Sequence, residues 1–174
     1  MAEARRAQLT ILAMIRAQVI TCSDAASRGE REDRSGPAVV EILVRAGFET
    51  AAVMVVADEE PAIAQAITAA AGAGFRLIVT TGGTGIAPRD VTPEATMRVC
   101  GRVIPGFGEL MRARSLDSTP MASLSRAQAA TIGTALVINL PGSVRGAQQN
   151  LEAILHLIPH ALELLTGERV ERHP

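Results

Sequence analysis

Leu77-Ile78-Val79-Thr80-Thr81-Gly82-Gly83-Thr84-Gly85 decides how this chain is read: a short apolar run passes directly into a turn with glycine at 82, 83 and 85. Leu77 to Thr80 reads as a buried strand, because apolar and β-branched residues in succession are bounded by a glycine-rich breaker. Glycines at that point let the main chain take positive φ and approach a ligand without a Cβ clash. Its N–H groups are then free to cradle phosphate oxygens. The spacing is not that of a dinucleotide fingerprint, and the lysine of a Walker loop is missing. Taken alone, the loop is equally well explained as a tight turn from strand to helix.

Outward from this loop the chain alternates strand and helix. Before it, Ala17 to Thr21 reads as a buried strand, Pro37 to Ala46 as a helix ended by Gly47, Ala51 to Val56 as a strand, and Glu60 to Ala71 as a helix. After it, Thr92 is a good N-cap with Pro93 at the first helical position, giving a helix to about Cys100. Pro105 to Arg114 reads as a short helix, and Ala122 to Ala130 is ambiguous. Ala135 to Leu140 is a strand. From Leu151 to Leu165 the apolar residues trace one helical face, with a kink expected at Pro159. Strands alternating with helices imply parallel pairing with both sheet faces covered, hence a three-layer α/β/α sandwich with a mostly parallel central sheet. Residues 1–13 are read as an N-terminal extension, 14–168 as one domain and 169–174 as a polar tail.

Composition narrows the chemistry. The chain has 174 residues, 48% hydrophobic and 20% charged, with a formal net charge of -1, as expected of one globular domain. With three phenylalanines as the only aromatic residues and charges of both signs interspersed, nothing in it suggests a nucleic-acid surface. Cys22 and Cys100 have no metal-ligand spacing and point to a reducing cytoplasm. No apolar run approaches the ~20 residues that span a bilayer, so a soluble protein is expected. All 17 basic residues are arginine, which excludes lysine nucleophiles and Schiff bases. His156 and His160 stand four apart, but without a third ligand they read as ordinary helix residues rather than a metal site.

In open parallel sheets, ligands bind beyond the carboxyl ends of the strands. Four such ends lead into Ser23 and Asp24, into Asp58 and Glu59, into Thr81 to Asp90, and into Asn139 to Ser143. Asp90, near both the glycine loop and a helix start, suits Mg²⁺ held against phosphates, or simply a capping carboxylate. Arg89, Arg126 and Arg145 are of a type that grips phosphates bidentately, although a surface role is the default for each.

These residues also carry a resemblance. Ser23-Asp24, Asp33-Arg34-Ser35-Gly36-Pro37, Thr81-Gly82-Gly83-Thr84-Gly85, Pro88-Arg89-Asp90-Val91-Thr92-Pro93-Glu94-Ala95, Pro105-Gly106-Phe107, Leu124-Ser125-Arg126 and Asn139-Leu140-Pro141-Gly142-Ser143 occur in this order. Over about Ile15 to Leu165 the chain resembles the MogA/MoaB-type molybdenum cofactor biosynthesis proteins, most closely the MogA-type molybdopterin adenylyltransferases, related to the G domain of gephyrin. The resemblance implies transfer of AMP from Mg·ATP to the molybdopterin phosphate with release of pyrophosphate, in a homotrimer or a dimer of trimers. It implies Asp58 and Asp90 as catalytic and Mg²⁺-binding residues. Ser23, Asp24, Thr81, Gly82, Gly83, Thr84 and Gly85 fall on the nucleotide side. Ser125, Arg126, Asn139, Pro141, Gly142 and Ser143 fall on the molybdopterin side. Two other readings compete: a MoaB-like protein that binds molybdopterin without adenylating it, and an oligomeric scaffold of the same fold.

Overall fold

The computed structural model describes residues 15–167. The expected extension 1–13 and tail 169–174 lie outside the described residues. A seven-stranded sheet runs through the middle in the order β2-β1-β4-β7-β6-β5, with β3 also paired to β1. The strands are β1 (Arg16–Cys22), β2 (Glu49–Thr50), β3 (Met54–Val56), β4 (Leu77–Thr81), β5 (Arg102–Val103), β6 (Gln128–Ile132) and β7 (Ala135–Leu140). The first four and β7 pair in parallel, while β5, β6 and β7 pair antiparallel. The helices are α1 (Asp24–Ser27), α2 (Ser35–Arg45), α3 (Glu60–Gly72), α4 (Thr92–Val99), α5 (Pro105–Leu116), α6 (Val144–Ile154) and α7 (Ile158–Thr166).

The period-two alternation of strand side chains separates two cores. Ala17, Val19, Leu77, Val79, Leu136 and Ile138 face α2, α5, α6 and α7, which contribute Val39, Leu43, Met111, Leu151, Ile158 and Leu162. Ile20, Ile78, Ala130 and Val137 face the opposite way, against Ile63, Ile67 and Ala70 of α3 and Ala95 of α4. Each fully buried leucine or isoleucine contributes about 1.5–3 kcal/mol. The result is the three-layer α/β/α sandwich expected from the alternation of strand and helix.

Local departures from the sequence reading have physical causes. Residues 51–56 do not form one strand: β2 and β3 flank a break where Ala51 N–H donates to Ala17 O and the Gln18 amide donates to Ala52 O at 2.8 Å. A side chain thus replaces main-chain pairing at the sheet edge. Thr92 is not the cap of α4 but its first residue, fully buried, with its N–H donating to Gly83 O at 3.1 Å. The ambiguous segment 122–130 resolves into a 3₁₀ turn, Pro120–Leu124, and strand β6. The last helical run begins at Val144, capped by the Ser143 hydroxyl, and breaks at a 3₁₀ turn over Leu155–Leu157. Pro159 therefore sits in the first turn of α7, where its missing N–H costs nothing.

Asn139 ties the layers together. It is fully buried, and its amide donates to Thr80 Oγ1 at 3.0 Å on the neighbouring strand and to Thr96 Oγ1 at 2.8 Å on α4. Removing it strips two buried hydroxyls of their donor, and such losses are worth about 1–3 kcal/mol each. Asn139→Ala is expected to lower unfolding free energy by about 3 kcal/mol in urea titration; a loss below about 1 kcal/mol would show that the tie carries little.

Candidate active site

The register of the central strands fixes where their loops begin. Thr21 lies opposite Thr81, and Thr81 opposite Leu140, so β1, β4 and β7 end level with one another. On the outer side Cys22 pairs with Val56, and Ser23 N–H donates to Val56 O. The loops after β1, β3, β4 and β7 therefore open at one edge. They wall a cavity of about 630 Å³ that includes Ser23, Asp58, Gly83, Asp90, Gly142 and Ser143.

The glycine loop is pressed against its neighbours. Gly82 has φ +103°, and a Cβ there would collide with Cys22 O; Gly83 has φ +63°, and its Cβ would collide with Thr92 Oγ1. Only glycine fits such a conformation with neighbouring atoms that close. Gly82 N–H donates to Leu140 O, which spends one donor on the sheet. Among the described residues, the N–H groups of Gly83, Thr84 and Gly85 make no hydrogen bond within the chain, and remain available to a ligand.

Three aspartates organise the cavity wall. Asp24 N–H donates to Asp58 Oδ2 at 2.8 Å, and Asp58 N–H donates to Asp24 Oδ1 at 3.0 Å, a reciprocal clasp between the loops after β1 and β3. Arg89 forks onto Asp24 with Nε and Nη2 at 2.7–3.0 Å. That bond holds the Asp24 carboxyl below the usual carboxylate range. Burial pushes Asp58 the other way, and the negative charges of Asp24 and Asp90 add to the rise. Asp90 closes the glycine loop, its Oδ2 accepting from Ala87 N–H at 2.8 Å. A cation between Asp58 and Asp90 would relieve their crowding, and hard divalent cations favour this oxygen chemistry with phosphate and water completing the shell. Two carboxylates fit Mg²⁺ only where phosphate and water complete its shell; among the described residues no group of three or more acidic, histidine or cysteine side chains is placed to hold a metal ion.

The residues singled out in the sequence are not all at the cavity surface. Ser23, Asp58, Thr81, Gly82, Gly83, Asp90, Gly142 and Ser143 line it. Asp24 stands behind them, paired to Arg89 and Asp58. Thr84, Gly85, Ser125 and Pro141 border an adjoining cavity of about 300 Å³ that shares Gly83, Asp90 and Gly142 with the first. A further hollow of about 290 Å³ shares Ser125, Pro141 and Ser143, and adds Arg112, Arg145 and Asn150. Two residues of the molybdopterin-side set have other partners. The Asn139 amide nitrogen is spent on Thr80 and Thr96, and the Arg126 guanidinium is bonded to Gly85 O, Asp90 O and the Glu94 carboxylate. Cys22 is buried in the core on the α3 side of the sheet, where it packs as a small apolar residue, and burial pushes its thiol up to about 12.

Sequence reasoning missed Arg31, Arg34 and the turn at Asp33 as parts of the cavity wall. Asp33 Oδ1 accepts from Ser35 and Gly36 N–H, capping α2, while its Oδ2 accepts from the Thr21 hydroxyl. An aspartate two residues before a Ser-Gly-Pro run was the available signal, since it is a capping pattern.

Comparison with known proteins places the chain in a family. Residues 18–160 match the family model described as a probable molybdopterin binding domain. A molybdopterin adenylyltransferase from Helicobacter pylori J99 is 41% identical, over 88% of this chain and 89% of the relative. The crystal structure of the molybdopterin biosynthesis enzyme MoaB from Thermus thermophilus superposes with a TM-score of 0.83 at 49% identity, covering 89% of this chain and 98% of that one. A MogA structure gives the same TM-score, 0.83, at 38% identity, covering 86% and 99%. The chain belongs to the molybdopterin-binding family of molybdenum cofactor biosynthesis proteins.

Proposed function

We propose that the protein is a molybdopterin adenylyltransferase, a nucleotidyltransferase of molybdenum cofactor biosynthesis. A phosphate oxygen of molybdopterin attacks the α-phosphorus of ATP, the bond to the β-phosphate oxygen breaks, and pyrophosphate leaves. The observation that carries this reading is the convergence of four strand-end loops on one cavity that shares walls with a second. Two compartments that meet at Gly83, Asp90 and Gly142 suit two phosphorylated reactants brought end to end.

Little covalent work is left to the protein in such a transfer, so alignment and charge neutralisation dominate. The N–H groups of Gly83 to Gly85 hold the nucleotide phosphates, with Ser23 and the Asp24 loop at the nucleotide edge. Ser125, Pro141, Gly142 and Ser143 receive molybdopterin. Asp58 and Asp90 hold Mg²⁺, which supplies positive charge to the phosphates. Arginine alone provides the side-chain cations, consistent with bidentate phosphate recognition. The reading carries with it assembly as a homotrimer or a dimer of trimers, and work in the cytoplasm; among the described residues no helix is long and apolar enough to cross a membrane.

A second reading has one observation in its favour: the MoaB structure is 49% identical to this chain, the MogA structure 38%. A MoaB-like binder would take up molybdopterin without consuming ATP. Purified protein mixed with molybdopterin and Mg·ATP is expected to form adenylyl-molybdopterin and one equivalent of pyrophosphate; binding without pyrophosphate would establish the second reading instead. Asp90→Asn should lower turnover by about 10²-fold or more while molybdopterin binding persists, the pattern of a group that acts on the transferring phosphate. Undiminished turnover would remove Asp90 from the mechanism.

The raised position of Asp58 sets a pH dependence. Its carboxylate must be charged to bind Mg²⁺, and protons compete for it as the pH falls through its elevated range. Turnover should therefore fall on the acid side above the ordinary aspartate range, and added Mg²⁺ should move that limb to lower pH. Asp58→Ala should abolish the shift and raise the Mg²⁺ requirement; an acid limb indifferent to Mg²⁺ would argue against this assignment.

A further inference from the structure

Arg126 stands 36 residues from Asp90 in the chain yet holds the loop that carries it. Its N–H donates to Thr84 O at 2.8 Å and its Nε to Gly85 O at 2.7 Å. Nη2 donates to Asp90 O, and Nη1 pairs with the Glu94 carboxylate on α4. Both ends of the segment from Thr84 to Asp90 are thus gripped by one residue. Between those grips the segment is held by the fork of Arg89 onto Asp24 and, within itself, by Asp90 Oδ2 accepting from Ala87 N–H and Asp90 N–H donating to Ala87 O. Ile86 at its tip is 69% exposed, so among the described residues little apolar packing holds the loop from that side. The preceding residue, Ser125, has its carbonyl held by Arg112, which anchors the strap to α5.

We propose that Arg126 is a positioning residue of the transfer site: its guanidinium straps the Thr84 to Asp90 segment and sets where the Asp90 carboxylate meets Mg²⁺ and the phosphates. The inference rests on the adenylyl-transfer reading and assigns Arg126 to the protein's own loop instead of to molybdopterin. A planar fork with several donors reaches two carbonyls and a carboxylate at once; an ammonium group does not. Loss of an outer residue that orients a metal-binding carboxylate commonly changes metal affinity by roughly 10–100-fold.

The test compares Arg126→Lys, Glu94→Gln and, as a control, Arg98→Ala, which removes an exposed ion pair to Glu60 from the same helix. Hydrogen exchange of the Ala87 and Asp90 amides, measured against the protected amides of β4, should quicken about tenfold in Arg126→Lys, less in Glu94→Gln, and not in the control. The Mg²⁺ concentration for half-maximal turnover should rise about tenfold, with the KM for ATP at saturating Mg²⁺ little changed. In an Asp90→Asn background Arg126→Lys should cause no further loss, because it acts through Asp90. Uniform destabilisation with an unchanged exchange pattern, or losses that simply multiply, would overturn the proposal. If Arg126→Lys does not fold, Glu94→Gln decides by the same measurements. A wild-type protein that forms no adenylyl-molybdopterin would defeat the proposed reaction, and exchange at Ala87 and Asp90 would still decide whether Arg126 straps the loop.

Discussion

The level alignment of β1, β4 and β7, with Thr21 beside Thr81 and Thr81 beside Leu140, is the constraint on which the site depends. In a parallel sheet a slip by one residue turns every side chain to the other face. Here both faces are buried, so a slip would drive the two cores apart and is strongly opposed. The loops inherit this precision. Gly82 lies against Cys22 O, and Gly142 comes close to Gly82, because three strands end together and leave room for main chain alone.

Charge is arranged on that frame in a graded way. Arg89 neutralises Asp24 at the rim, and Asp24 in turn clasps the main chain of Asp58. Asp58 and Asp90 face the cavity, and among the described residues no arginine is bonded to either carboxylate. A wall with paired charges behind and unpaired carboxylates in front suits a cation carried in with a nucleotide. Arginine without lysine gives planar forks that lock main-chain carbonyls as readily as phosphates, and Arg126 and Arg112 are used in the first way.

Local sequence signals were sufficient where structure is dictated locally. The apolar runs of β1, β4 and β7, the glycine loop and the helices α2, α3 and α5 are legible because burial and turn chemistry act over a few residues. The antiparallel β5 and β6 were not legible, since β5 is two exposed residues whose pairing is decided by β6 about 28 residues on. The broken edge strand depends on the Gln18 side chain, 34 residues from the carbonyl it satisfies. Asn139 and Arg126 belong to motifs that the resemblance placed on the molybdopterin side. What their polar groups bond is fixed by tertiary neighbours, and no spacing in the sequence encodes it.

The claim that one strand-end cavity joins nucleotide and pterin is tested most directly by a crystal structure with Mg²⁺ and a non-hydrolysable ATP analogue. The account predicts the α-phosphate beside Gly83 and Thr84, Mg²⁺ between Asp58 and Asp90, and an open path to the Gly142–Ser143 turn. A nucleotide bound at the opposite end of the sheet, in the hollow lined by Gly101, Arg102 and Gly133, would contradict it.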